Sequence, residues 1–180
     1  MAVRRRSSIE ARIMTIRKVA SLVVALAVSS ALAAPAFAVT VSRADGNPMN
    51  PNGEPFSATG GTTLTKGSIT ANCTATFNGT ITTSGIVTIT STSFTGGGLC
   101  GLIQGSATSA NPWTGQADTA TQLTINNAQV SASLLGTCGP SQVVTAWNNA
   151  GSSLTFNNAI LTPNCSVTGT VVTSPLLSVQ

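Results

Sequence analysis

Histidine and tyrosine are both absent from this chain, and aromatic residues make up only 4% of it. Without histidine the chain lacks the side chain that most often serves as a general base near neutral pH. Beyond residue 38 only three carboxylates remain, Asp45, Glu54 and Asp118, and the first two lie in a segment rich in Gly, Pro and Asn. A fixed pair of carboxylates, as glycoside hydrolysis requires, is therefore not expected.

Nucleophilic catalysis and metal binding also lack their usual residues. Serines are abundant, but Lys66 is the only lysine beyond residue 38. A Ser–Lys dyad is one interpretation of Lys66, and a solvated lysine at a strand edge is the other. Calcium loops usually contain several Asp or Glu residues, which this chain does not supply. The sequence thus predicts no catalytic residues, no cofactor and no metal site.

Charged residues are scarce, at 7% of the chain, and they are unevenly distributed. Six of the eight basic residues lie within the first 18 positions. Beyond residue 38 two basic residues, Arg43 and Lys66, remain beside the three acidic ones, so the formal net charge of that part is −1. No basic patch remains to attract nucleic acid, which excludes that partner. A net charge close to zero instead favours self-association.

The first 38 residues have the composition of a secretory signal peptide. A basic start precedes an apolar run of 15 residues, Val19 to Ala33, and Ala36 and Ala38 then supply the small-x-small spacing of a cleavage site. The run is shorter than the roughly 20 apolar residues that span a bilayer as a helix. We expect a signal helix, export by the general secretory route and cleavage after Ala38. Contact with the membrane is then confined to this segment before cleavage. An uncleaved anchor is the alternative, and Met14 is an alternative start of translation.

Four cysteines follow the signal segment: Cys73, Cys100, Cys138 and Cys165. An even number of cysteines in an exported chain indicates disulfides. Structural zinc would require close Cys-x-x-Cys pairs, and no two of these cysteines are near each other in sequence. Four cysteines permit three pairings. The sequence favours Cys73–Cys100 and Cys138–Cys165, because each pair is 27 residues apart and each interval contains two predicted strands and a turn.

The rest of the chain divides into a lead and a single domain. Residues 39–62 contain many Gly, Pro and Asn residues and are expected to form a flexible lead. Residues 63–180 show no helical period, are rich in Thr, Val, Ile and Ser, and contain turn residues about every ten positions. This pattern predicts one all-β domain, a small antiparallel β-sandwich or barrel-like fold stabilised by two disulfides.

The clearest predicted strand is Ile69–Asn78, where apolar and polar residues alternate as in a half-buried antiparallel strand. A bulge or tight turn is expected at Asn126-Asn127, and a hairpin connection at Asn148–Gly151. Further predicted strands cover residues 86–94, 122–125, 129–134, 142–147, 153–157 and 166–173.

Two tryptophans are the candidates for contact with a ligand. Trp113 follows Asn111-Pro112 and is expected in a loop, where it is a candidate surface contact for an apolar ligand or a sugar. Trp147 ends a predicted strand beside a turn. Burial of both side chains in the core of a small β domain is the favoured interpretation.

Several segments around the cysteines, taken together and in order, resemble the family of secreted alkane-oxidation activator proteins (PraB-like). The resemblance extends from about Phe56 to the C-terminus and rests on these segments: Leu99-Cys100-Gly101-Leu102-Ile103, Pro112-Trp113, Cys138-Gly139-Pro140, Trp147-Asn148-Asn149-Ala150, Phe156-Asn157-Asn158-Ala159, Cys165-Ser166-Val167-Thr168-Gly169 and Ser174-Pro175. It implies a small extracellular or surface-associated protein, linked with growth on hydrocarbons and with the biofilm matrix. It implies no catalytic residues.

The sequence therefore predicts a secreted, non-enzymatic protein that acts at hydrocarbon or cell-surface interfaces. Its expected partners are apolar surfaces or hydrocarbon droplets, and further copies of itself. One alternative is a pilin-like or filament-forming subunit whose segment Val39–Ser42 adds a strand to a neighbour's sheet. A carbohydrate- or lipid-binding module that uses Trp113 is a further alternative.

Overall fold

Alternation of buried and exposed side chains organises the structure, a computed structural model that describes residues 39–180. In the strand Ile69–Ile81 the side chains of Ala71, Cys73, Ala75 and Phe77 are buried, while the residues between them are exposed or half-buried. This is the period of two that the sequence indicated, because successive side chains of a strand point to opposite faces. The predicted signal helix, the cleavage residues Ala36 and Ala38, and Met14 lie outside the described residues.

The described part of the chain is all-β apart from two short 3-10 turns. The strands are β1 (Val41–Arg43), β2 (Glu54–Lys66), β3 (Ile69–Ile81), β4 (Ile86–Thr95), β5 (Ile103–Gly105), β6 (Trp113–Thr119), β7 (Gln122–Ala132), β8 (Gly136–Asn148), β9 (Ser153–Leu161), β10 (Cys165–Ser174) and β11 (Leu177–Val179). The 3-10 turns are Cys100–Leu102, before β5, and Asn149–Gly151, between β8 and β9.

Eight of these strands form a closed antiparallel barrel. Their order around the barrel is β7-β6-β4-β3-β2-β10-β9-β8, and pairing of β8 with β7 completes the circle. The short β5 is an additional strand that pairs with β7 beyond the end of β6. Of the two architectures that the sequence left open, sandwich and barrel, the structure is therefore the barrel. Closure removes most of the exposed sheet edge that a sandwich would retain.

Strands β1 and β11 form a separate two-stranded sheet that covers one end of the barrel. Val41, Leu177 and Val179 are each only 1% exposed, and they belong to the same apolar core as the barrel interior. The amide of Val41 also donates to the carbonyl oxygen of Thr83, in the β3–β4 turn. We refer to this end as the covered end of the barrel.

The prediction that residues 39–62 form a flexible lead is wrong. β1 is paired with β11, and β2 begins at Glu54, so the β fold starts well before residue 63. Arg43 connects the two parts, because its guanidinium group bonds to the carboxylate of Glu54 at 2.6 Å. The segment Val39–Ser42, considered above for addition to a neighbour's sheet, instead supplies a strand that pairs within its own chain.

Irregularities in the strands let the sheet curve into a barrel. The predicted break at Asn126-Asn127 is a bulge inside one long β7, where pairing with β8 shifts between Ile125 and Ala128 and Asn127 has a φ of 62°. A second bulge separates Asn78 from Gly79 in β3. A Cβ atom at Gly79 would collide with the backbone of Thr88, so only glycine permits this approach of β3 to β4. The hairpin predicted at Asn148–Gly151 is confirmed, with Trp147 opposite Leu154.

Candidate functional site

The charged side chains of the described residues are engaged in structural contacts. Arg43 bonds to both carboxylate oxygens of Asp45, at 3.0 and 2.6 Å, and to Glu54, whose second oxygen accepts from the amide of Asn50. The hydrogen bond from Arg43 holds the pKa of Asp45 well below its ordinary value, and the amide of Asn47 adds to the effect. Three of the five charges in residues 39–180 are thus confined to one cluster that fixes β1 to the start of β2.

Lys66 and Asp118 likewise have structural partners. Lys66 donates to the backbone carbonyl oxygens of Leu135, at 2.6 Å, and of Thr137, at 3.4 Å, and so bonds to main chain and not to a serine hydroxyl. Asp118 accepts from the hydroxyl of Thr124 at 2.7 Å. Within residues 39–180 there is no group of three or more His, Cys, Asp or Glu side chains that could hold a metal ion.

Both predicted disulfides are confirmed. Cys73 in β3 is joined to Cys100 in the 3-10 turn before β5, with 5.5 Å between their Cα atoms. Cys138 in β8 is joined to Cys165 at the start of β10, with a Cα separation of 5.8 Å. Each bond links segments that are not hydrogen-bonded neighbours in the barrel. Equal spacing in the sequence was the signal that identified the pairs.

The structure buries Trp113 in the core, as the sequence favoured for both tryptophans, and contradicts its other interpretation as a surface contact. Trp113 is the first residue of β6, not part of a loop, and only 4% of it is exposed. Its ring lies 6.2 Å from that of Phe77, and its indole N–H donates to the hydroxyl of Ser106 at 2.9 Å. Because a buried indole keeps one polar atom that must find a partner, this bond allows Trp113 to serve as a core residue. Trp147 is buried in the same way and donates to Asn149.

The barrel interior contains two small apolar cavities. The larger, of about 50 Å³, lies toward the end away from β1 and β11, and we call it the chamber. The smaller, of about 30 Å³, lies beside Trp147 and Leu177 near the covered end. Phe77 and Ile125 line both cavities and separate them. The sequence gave no signal for these cavities, because they depend on how side chains from distant strands meet.

Beside the chamber the barrel wall lacks a backbone ladder between β4 and β5. β4 pairs with β6 only through Ile86–Ile89, and β5 pairs only with β7, so within residues 39–180 no ladder joins β4 to β5. Gly105 packs directly against the side chain of Thr92, whose buried hydroxyl oxygen has no hydrogen-bond partner among the described residues. We call this contact the β4–β5 seam. The Cys73–Cys100 disulfide lies beside it and anchors the segment that leads into β5.

Short hydroxyl and amide side chains cover the outer side of β10, β2, β3 and β4. We call this surface the hydroxyl face; its residues are Ser57, Thr59, Thr63 and Thr65 of β2, Thr70, Asn72, Thr74, Thr76 and Asn78 of β3, Ser91, Ser93 and Thr95 of β4, and Ser166, Thr168, Thr170 and Ser174 of β10. β3, β4 and β10 contain no charged residue, and β2 has one only at each end.

Many of these side chains bond to one another across strands. The bonded pairs, with their distances, are Thr59 with Thr76 at 3.1 Å, Thr63 with Asn72 at 2.7 Å, Asn78 with Ser91 at 3.2 Å, and Thr170 with Thr155 of β9 at 2.9 Å. A hydroxyl that is bonded to a neighbouring side chain has fewer free positions for hydrogen bonds with water than a charged group has. The hydroxyl face is therefore polar, partly bonded to itself and, between the ends of its strands, uncharged.

Apolar side chains are also exposed on the outer surface. Seven large ones are between 45% and 64% exposed: Ile86, Leu102, Leu134, Val144, Ile160, Val172 and Leu176. Val172 lies in β10 beside Thr59 and interrupts the hydroxyl face with an apolar group. Outward side chains of this kind cannot be identified from the sequence until the register of each strand is known.

Comparison with known proteins gives a family match. The family model described as alkane oxidation protein activator PraA/PraB-like matches residues 14–180. No curated protein and no solved structure matches the chain. Among the described residues, no helix has the length and apolar character needed to cross a membrane.

Proposed function

The chain belongs to the alkane oxidation protein activator PraA/PraB-like family, and from this membership we propose that it is a secreted, non-enzymatic protein that adsorbs at hydrocarbon–water or cell-surface interfaces. The family is named for an activator and not for an enzyme. The observation that carries the proposal is the hydroxyl face, a continuous outer wall of four strands without a charged side chain between its ends.

Adsorption follows from the cost of dehydrating the surface that meets the oil. A charged side chain loses far more hydration free energy on transfer to an apolar phase than a hydroxyl does. On the hydroxyl face the hydroxyls that bond to one another keep those bonds when water is removed, and the methyl groups of threonine gain contact with hydrocarbon. Val172 adds an apolar group at the same surface. This wall is thus the part of the molecule that loses the least hydration free energy when it contacts hydrocarbon.

The two disulfide bonds and the closed barrel support a role for the protein outside the cell. Disulfides persist in oxidising compartments, and the two bonds here restrain the unfolded chain of a domain with few aromatic residues. A barrel that closes on itself leaves few strand edges for edge-to-edge pairing, so the protein would meet an interface as a folded particle. A role in the biofilm matrix belongs to the same proposal, because the same weakly charged surface favours association with other polymers and with further copies.

Pendant-drop tensiometry at a hexadecane–water interface tests the proposal with protein recovered after export. We expect the tension to fall and the fall to be the same at pH 6 and pH 8, since no histidine titrates there. N-terminal sequencing of the same sample should give Val39 as the first residue. A protein that leaves the tension unchanged at both pH values would contradict the interfacial role. A retained Met1 or Met14 would contradict the signal cleavage alone.

A further inference from the structure

The chamber favours apolar molecules over polar ones, because its lining has no free hydrogen-bonding side chain. Of the sixteen residues that line it, Thr62 is the only one with a hydroxyl, and that group already donates to the carbonyl oxygen of Cys73 at 3.3 Å. The indole N–H of Trp113 is bonded to Ser106. A cavity lined by apolar groups stays empty of water and can take up an apolar guest.

The volume of the chamber limits the shape of its guest. About 50 Å³ exceeds the space that one water molecule needs, roughly 15 Å³, and is well below the roughly 150 Å³ of an engineered cavity that holds benzene. A ring or a branched carbon skeleton is therefore too large. The last two or three carbons of an unbranched chain suit the space.

We infer that the chamber is a binding site for the terminal carbons of a saturated, unbranched alkyl chain. The inference rests on the proposed function only for the premise that the protein comes into contact with hydrocarbon. The choice of guest follows from the lining residues and the volume of the chamber. Phe94 and Val167 line the chamber and are only partly buried, so the chamber approaches solvent at the end away from β1 and β11. A chain held by its end would keep its remaining carbons outside the barrel.

Access requires the wall to open, and at the β4–β5 seam opening breaks no backbone ladder. Separation of β5 from β4 disrupts side-chain packing at Gly105 and Thr92 but no backbone ladder. Local openings of this kind have lower free energies than separation of paired strands. The Cys73–Cys100 disulfide limits how far the segment can move.

Two neighbouring valines of β8 provide a matched test. Val143 lines the chamber and is 4% exposed, whereas Val144 points outward and is 52% exposed. Val143→Leu adds one methylene to the chamber wall, and Val144→Leu adds the same group to the outer surface. A third variant, Val143→Ala, enlarges the chamber and remains informative if the larger side chain disturbs folding. The probe is propane, followed by intermolecular NOEs to the methyl groups of the isotope-labelled, exported protein.

The expected result is a set of NOEs from propane to Ile125, Leu161 and Val143 in the unmodified protein. Val143→Leu should weaken propane binding at least about fivefold, Val143→Ala should strengthen it, and Val144→Leu should leave it unchanged. NOEs confined to Val144, Ile160 or other outward residues, or none at all, would overturn the inference. Equal binding by the two leucine variants would also overturn it. Tension at the hexadecane interface should be the same for all variants, so failure of the chamber site is distinguishable from failure of the proposed function.

Discussion

The ammonium group of Lys66, at the end of β2, lies 2.6 Å from the backbone carbonyl oxygen of Leu135, 69 positions further along the chain. β2 and β7 occupy opposite positions in the barrel, and Leu135 lies in the turn that follows β7. Leu135 itself is 4% exposed. The contact therefore reaches from one side of the barrel to the other and holds an apolar residue over the end that β1 and β11 do not cover.

Replacement of Lys66 by Met tests this contact, because Met keeps an unbranched apolar stem and removes the donors. The free energy of unfolding should fall by about 1 kcal/mol, the net contribution of a typical hydrogen bond. Amide exchange over residues 133–137 should become faster, while exchange in β3 stays unchanged. Lys66→Arg, which retains donors, is the control. Unaltered exchange of the turn in Lys66→Met would show that the contact does not hold it.

The two disulfides are expected to contribute similarly to the free energy of unfolding and to restrain different local segments of the chain. Each closes an interval of 27 residues, for which the chain-entropy model predicts a contribution of roughly 3 kcal/mol. Denaturant unfolding of a Cys73→Ser, Cys100→Ser double variant and of a Cys138→Ser, Cys165→Ser double variant measures this loss. Faster amide exchange in β5 should appear only in the first, because only that bond anchors the segment beside the β4–β5 seam. Equal exchange in β5 for both variants would contradict the weakness of the seam.

Two glycines of the neighbouring strands β2 and β3 differ in the space around them. A Cβ atom at Gly79 would collide with the backbone of Thr88 and Ile89, whereas one at Gly61 would meet nothing within 4 Å. Gly79→Ala should lower the free energy of unfolding by about 2 kcal/mol or more, since the backbone itself must shift. Gly61→Ala should stay within about 0.5 kcal/mol of the unmodified protein or stabilise it slightly. Similar losses in urea unfolding would refute the assignment of Gly79 as a point of close contact between the backbones of β3 and β4.

Stability should be independent of pH around neutrality and should fall only in acid. The pKa of Asp45 is depressed in the folded state by its hydrogen bonds to Arg43 and Asn47. Its contribution is therefore complete above the ordinary pKa of an aspartate, roughly 3.9, and is lost as the pH falls below that value. Thermal unfolding from pH 2 to pH 8 should show a constant Tm above about pH 5. Asp45→Asn should reduce the acid-side loss, and a step between pH 6 and pH 8 would contradict the account.

Most of the barrel strands could be predicted because apolar and polar residues alternate along them with a period of two. Ile69–Asn78 alternates cleanly, and β3 has its predicted inward residues. β6 was missed because Trp113 follows a proline and turn-forming residues, a pattern that indicates a loop. Its burial depends on pairing with β4 and β7, which are distant in sequence.

The lead was misjudged for a related reason. Its Gly, Pro and Asn residues suit a flexible segment locally, but Val41 is buried through pairing with β11, 138 positions away at Val179. The candidate site was least predictable. The chamber, the seam and the hydroxyl face each arise from residues of several strands, and only the closed register of the barrel brings them together.

The most direct test of the interfacial role places charge on one wall or the other of the same barrel. Thr74→Lys with Thr168→Lys adds two charges to the hydroxyl face, and Ser131→Lys with Gln142→Lys adds two on exposed positions of β7 and β8. The two double variants have the same net charge and differ only in where it lies. Dynamic tension at a hexadecane–water drop should fall markedly more slowly for the first than for the second, which should match the unmodified protein, because two ammonium groups must be dehydrated at the face that adsorbs. Equal curves for the two variants would contradict adsorption through the hydroxyl face.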